Sequence, residues 1–278
     1  MSRTFVLVHG SNSNSFGWAA LQRELTLRGH RVVAVDLPGH GFGATFPVSY
    51  QAPQDPTGLA GSPSGMARVT AAEAVEHVIG VVRRAAELGP VTLVGHSRGG
   101  VTVTGVANEV PELLHRIVYI SAWCCVDLPL PEYLAAPENA SSVLHSTGGA
   151  LVAEPAALGA LRLNWRTADP DLLATLKTAM LAEGTDDEFR AFLNTLEPDE
   201  GLDVGDAQAK AETWGRVRRT YVRLTGDRSL PIELQDRFIE EADALTPDNP
   251  FDVHSLDSSH VGFLIHPEQA ADVLAGLD

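Results

Sequence analysis

Short apolar runs alternate with longer stretches in which apolar residues recur every three or four positions. Residues 5–8 (Phe5, Val6, Leu7, Val8) are one unbroken apolar run, the pattern of a strand buried on both faces. Trp18, Leu21 and Leu25 follow at helical spacing within residues 16–28, and Gly29 stands where a helix stops. Residues 32–35 give a second strand. Thr70 and Glu73 form a capping box ahead of the stripe Val75, Val78, Ile79 and Val82, and Gly89-Pro90 ends that helix. Strands at 91–94 and 117–120 flank a helix at 97–110. Strands at 221–224 and 251–256 later alternate with helices at 231–240 and 266–277. This alternation predicts an α/β fold: a doubly wound, mostly parallel sheet of about six strands with helices on both faces.

Two stretches interrupt it. Residues 37–68 are rich in Gly, Pro and Ser and predict a long loop near the mouth of a site. Residues 127–214 carry no strand pattern but give helical spacing at 171–181 and 188–196, so they read as a helical cap inserted into a single domain spanning 1–278. Ten acidic residues between Glu183 and Glu212 face only Arg190 and Lys210. They are expected to form a solvated helical face.

The composition is that of an ordinary globular chain, with 278 residues, 44% hydrophobic and 20% charged. It excludes disordered, collagenous and coiled-coil classes. The net charge of −16 opposes phosphate backbones and anionic membrane surfaces, so neither nucleic acid nor membrane is an expected partner. No signal-peptide pattern and no membrane-length apolar run are present, which points to a cytoplasmic protein. Cys124 and Cys125 are adjacent, which suits neither a disulfide framework nor a zinc site, and they read as small half-buried residues.

The chemistry concentrates at Gly95-His96-Ser97-Arg98-Gly99, between a strand and a helix. A serine projected from such a turn, with small neighbours and a helix N-terminus behind it, is a candidate nucleophile. Its base and acid should follow in the order acid, then histidine. His260, in the loop after the last strand, is the candidate base in preference to His254 and His266. Asp227, in the Gly226-Asp227 turn after a strand, is the candidate acid in preference to Asp252 and Asp257. An oxyanion would be bound by the backbone N–H of Arg98 and by one from the polar loop after the first strand, Ser11 first and Asn12 second. His9 reads as structural. No dinucleotide, P-loop or metal-protease motif is present, and no cofactor is expected.

Val6-Leu7-Val8-His9-Gly10, Asp36-Leu37-Pro38-Gly39-His40-Gly41, Gly95-His96-Ser97-Arg98-Gly99-Gly100, Thr225-Gly226-Asp227 and Ser259-His260 stand in the order of the α/β-hydrolase landmarks. The chain resembles that superfamily over essentially its whole length. It is similar to the compact branch that includes plant methylesterases, hydroxynitrile lyases and bacterial esterases. Two departures stand out. Val261 occupies the position where lyases of that branch carry lysine, which disfavours cyanohydrin cleavage. Arg98 replaces a usually apolar residue; its expected partner is an acid of the cap or solvent, and the alternative is an anionic group of the substrate.

The resulting expectation is a serine hydrolase acting on a small carboxylic ester or lactone through Ser97, His260 and Asp227. The alternatives are a carbon–carbon bond hydrolase, a lyase-type enzyme, or a non-catalytic binder of small molecules on the same fold.

Overall fold

A computed structural model describes residues 2–277. Six parallel strands form the main sheet: β1 (Thr4–Val8), β2 (Arg31–Val35), β3 (Val91–Ser97), β4 (Leu114–Ala122), β7 (Arg219–Leu224) and β8 (Asp252–Leu256). Their order is β2-β1-β3-β4-β7-β8, so the chain winds outward from β1 in one direction, then returns to lay β3 on its other side. The strand ends at this reversal leave a crevice, the place where open α/β sheets hold ligands. The loops after β1 and β3 meet there.

The alternation of side chains along β1 explains the two cores. Val6 and Val8 pack on one face with Val78 and Val82 of α3 (Ala71–Ala86), Val103 and Val106 of α4 (Gly99–Glu109), and Phe238 of α9 (Ile232–Leu245). Phe5 and Leu7 pack on the other face with Leu21 and Leu25 of α1 (Ala19–Leu27) and Leu274 of α11 (Glu268–Gly276). All five residues of β1 are buried, as its unbroken apolar run requires, whereas the edge strands β2 and β8 are partly exposed. The capping box of Thr70 and Glu73 opens α3 as expected.

The two interrupting stretches are more ordered than their composition suggests. Residues 37–68 contain short 3₁₀ turns and α2 (Pro56–Gly61), capped by Asp55. Between β4 and β7 lie α5 (Leu130–Leu134), α6 (Pro155–Leu158), α7 (Pro170–Met180) and α8 (Asp186–Leu193). The expectation that this segment lacks strands is corrected. β5 (Ala160–Arg162) and β6 (Asp199–Gly201) form an antiparallel ribbon, each too short to show a period in sequence.

The acidic residues are corrected too. Glu197, Asp199 and Glu200 are buried rather than solvated. Arg162, fully buried, forks onto Asp199 at 2.5 and 2.6 Å and donates to the carbonyls of Leu59 and Ser62. One guanidinium thus fastens α2 to the β5–β6 ribbon. Helix α10 (Gly262–Ile265) completes the chain's elements. Among the described residues no helix is long and apolar enough to cross a membrane.

Candidate active site

Ser97 is the last residue of β3 and has φ +53°, the left-handed region that non-glycine residues rarely occupy. The turn survives because its neighbours have no side chains. A Cβ on Gly10 would lie 2.8 Å from that of Ser97, and one on Gly99 would lie 2.6 Å from the carbonyl oxygens of Val8 and His9. The expected helix at 97–110 therefore starts two residues later, at Gly99, because Ser97 still belongs to the strand.

Asp227 and His260 stand on adjacent loops. The Gly226 N–H donates to the Ser258 carbonyl at 3.1 Å, fastening the turn after β7 to the loop after β8. His260 Nδ1 lies 2.6 Å from Asp227 Oδ2. A carboxylate only accepts, so Nδ1 carries a proton, and in the neutral ring the lone pair is left on Nε2. Asp227, buried, has both oxygens committed: Oδ1 accepts from the N–H groups of Ser229 and Leu230 at 2.7 and 2.9 Å, and Oδ2 also accepts from the Ser121 hydroxyl at 2.6 Å. The carboxylate cannot turn away from the imidazole without breaking several hydrogen bonds.

His96, the residue before Ser97, ties the end of β3 to this pair. Its Nε2 donates to the His260 carbonyl at 2.9 Å, and the two imidazoles lie 4.5 Å apart between ring centres. Burial, followed by the neighbouring His260, drives the His96 pKa well below the usual histidine range, so it is a neutral donor. The end of helix α7 supports both loops: the Ala179 carbonyl accepts from the Ser229 hydroxyl, and the Met180 carbonyl accepts from the Ser259 hydroxyl and the Val261 N–H.

The rival residues are engaged elsewhere. His254 faces Asp252 at 3.2 Å, His266 faces Glu188 at 3.2 Å, and Asp257 is exposed. His9 is structural: its Nε2 accepts from the Leu37 N–H and its Nδ1 lies 2.9 Å from the Gly10 carbonyl. Burial, aided by His40, lowers the His9 pKa to about 4 and keeps the ring neutral. Cys124 and Cys125 are fully rather than half buried, and burial pushes both thiols up, Cys125 to about 12, so neither is a thiolate near neutrality.

On the oxyanion side, Ser11 occupies the turn after Gly10. The second-choice donor, Asn12, is corrected: its N–H is committed to Glu200 Oε2 at 2.8 Å. The Arg98 side chain meets an acid of the 127–214 segment. Its Nη1 lies 3.2 Å from Glu200 Oε1 and 2.8 Å from the Gly201 carbonyl, and its Nη2 reaches the Asp203 carbonyl.

Glu197 and Glu200 were not singled out in sequence, since acids in an acidic run carry no distinguishing signal. Glu197 accepts from His40 Nδ1, the Gly41 N–H and Asn14 Nδ2 at 2.7–2.8 Å. Burial opposes charge on His40, but the hydrogen bonds and charges of Glu197 and Glu200 prevail and raise its pKa to about 9. Burial likewise opposes charge on Glu200, yet Arg98, His40 and the Asn12 N–H hold its pKa at about 2. A cavity of about 940 Å³ borders this cluster, with His9, Gly10, Arg98 and Glu200 in its wall. Ser97, Asp227 and His260 do not line it, so volume and chemistry part company here. Among the described residues no group of three or more His, Cys, Asp or Glu is arranged to hold a metal ion.

The chain belongs to the Alpha/beta hydrolase family, whose pattern it matches over residues 5–275. It is similar to the putative methylesterase 14, chloroplastic, of Arabidopsis thaliana, with 22% identity over 98% of this chain and 71% of that one. It is also similar to polyneuridine aldehyde esterase of Rauvolfia serpentina, with 24% identity over 97% of this chain and 93% of that one. Among solved structures, a pyrethroid hydrolase from Sphingobium faniae superposes with a TM-score of 0.71 at 21% identity, covering 99% of this chain and 96% of that one. That likeness concerns the fold.

Proposed function

We propose that the protein is a carboxylic ester hydrolase acting on a small-molecule ester or lactone, with Ser97 as nucleophile, His260 as base and Asp227 as the acid that orients it. The observation that carries this reading is the 2.6 Å contact between His260 Nδ1 and Asp227 Oδ2, on loops tied to the Ser97 turn through His96. The esterase names of its relatives support it.

In this mechanism Ser97 Oγ attacks the ester carbonyl while His260 Nε2 takes its proton. The tetrahedral oxyanion receives hydrogen bonds from the backbone N–H groups of Ser11 and Arg98. The imidazolium is stabilised by Asp227, then protonates the departing alkoxide. Water, deprotonated by the same imidazole, releases the acid from the acyl-enzyme and restores the Ser97 hydroxyl. Every step uses groups of this chain, the ester and water. The segment 127–214 is proposed to cap the site, and the protein to act in the cytoplasm.

The test is turnover of short-chain p-nitrophenyl esters and simple lactones by the wild type and by Ser97→Ala. The expected result is turnover by the wild type and a loss of about 10³-fold or more in the folded variant. Near-normal turnover by folded Ser97→Ala would remove the nucleophile. A wild type inactive on the whole panel would remove the ester reading.

A further inference from the structure

We infer that Glu200 is a positioning residue that joins the two arms of the oxyanion hole, so that the β6 segment sets the geometry of the donors. The inference rests on the ester-hydrolase reading of the site. Its basis is a convergence at one carboxylate. Glu200 Oε2 accepts from the N–H of Asn12, the residue directly after Ser11. Glu200 Oε1 lies 3.2 Å from Arg98 Nη1, and Arg98 supplies the other backbone donor.

Asn12 fastens the Ser11 arm to the chain around β6. Asn12 sits at φ +55°, a left-handed conformation with no glycine to make it easy. Its remaining polar groups also bind the residues just before β6: the Asn12 carbonyl accepts from the Glu197 N–H at 2.8 Å, and its Nδ2 donates to the Glu197 carbonyl at 2.9 Å. The turn that aims the Ser11 N–H is therefore held by residues 197–200. The Arg98 arm is tied to the same segment through Glu200 and the Gly201 and Asp203 carbonyls.

Glu200 is itself fixed. It is buried; the Gly201 N–H donates to Oε1 at 2.8 Å, and His40 Nε2 lies 3.6 Å from the same oxygen. A buried carboxylate with this many partners cannot drift, and donors preorganised toward a developing charge account for much of the rate in acyl transfer. A displacement of either N–H would weaken binding of the tetrahedral oxyanion more than binding of the planar ester. The signature is thus a fall in kcat at little changed KM.

The experiment titrates the reactive serine with a fluorophosphonate, then measures kcat per titrated serine and KM on p-nitrophenyl acetate. The wild type is compared with Glu200→Ala, Glu200→Gln and, as a control, Asp187→Asn, an exposed acid of helix α8. Glu200→Ala is expected to lose about 10–100-fold in kcat per titrated serine with KM within about threefold. Glu200→Gln keeps an acceptor for the Asn12 N–H but not the charge beside Arg98, and should lose about 3–10-fold. Asp187→Asn should match the wild type.

A merely structural role would lower the titratable fraction and the Tm while leaving kcat per serine alone. If Glu200→Ala does not fold, Glu200→Gln decides. A kcat per titrated serine within about twofold of wild type in the folded Glu200 variants overturns the inference, while wild-type turnover leaves the hydrolase reading standing. A wild type that neither turns over the ester nor reacts with the fluorophosphonate overturns both.

Discussion

Ser121 shows how a side chain can matter without any sequence signal. It lies near the end of β4 at φ +37°, fully buried, and its hydroxyl donates to the same Asp227 oxygen that receives His260. Ser97, Asp227 and His260 could be singled out as candidates in sequence because each follows or ends a strand in a recognisable turn. Ser121 could not, because a serine closing an apolar strand looks like any other small residue until the fold brings β7 beside it. Ser121→Ala would leave Asp227 with three partners. The expected cost is a kcat lower by about 3–10-fold, in line with one lost hydrogen bond of ~1 kcal/mol. Asp227→Asn should cost about 10³-fold or more, since the amide cannot hold the productive tautomer. Asp257→Asn, on an exposed loop residue, should cost almost nothing. Steady-state kinetics on one ester separates the three, and a crippled Asp257→Asn would show that the acid is wrongly assigned.

Among the elements, the strands of the main sheet were readable, because short apolar runs bounded by turn residues, such as that of β1, are the pattern of buried strands. The β5–β6 ribbon was not. Its three-residue strands carry Arg162, Asp199 and Glu200, charges that argue for the surface when read one at a time. Pairing reverses that argument: the Arg162–Asp199 fork is buried, and its unused donors reach backbone carbonyls of the 37–68 stretch. Removing one partner leaves the other charge buried and alone. Asp199→Ala is therefore expected to destabilise the protein by about 3–5 kcal/mol, whereas replacing both residues with apolar ones of similar volume should recover much of that loss. Urea unfolding of the single and double variants checks this. A single variant as stable as wild type would mean that the fork contributes nothing to holding the ribbon.

The cluster that joins the 37–68 and 127–214 stretches is titratable. His40 is held between Glu197 and Glu200, with the His9 ring 4.7 Å away. Its pKa is raised from 6.5 to about 9, so its contribution to stability is complete below 6.5 and is lost as pH rises through 9. Across that window the wild type should lose at most about 3 kcal/mol from this group, and His40→Gln should lack that loss. Urea unfolding at both ends of the window tests it, and parallel pH profiles for the two proteins would contradict it. On the acid side the sign reverses, because His9, with its pKa lowered to about 4, favours unfolding as pH falls from 6.5. None of this was visible as a site in the sequence, where His40 fell in a long loop and the acids read as a solvated helical face. The central claim, that the chain assembles around one acyl-accepting serine, is tested most directly by locating the bond. After reaction with a fluorophosphonate, intact mass and peptide mapping should find a single adduct, carried by Ser97, abolished in Ser97→Ala and strongly slowed in His260→Ala. An adduct on another residue, or unchanged labelling of Ser97→Ala, would contradict it.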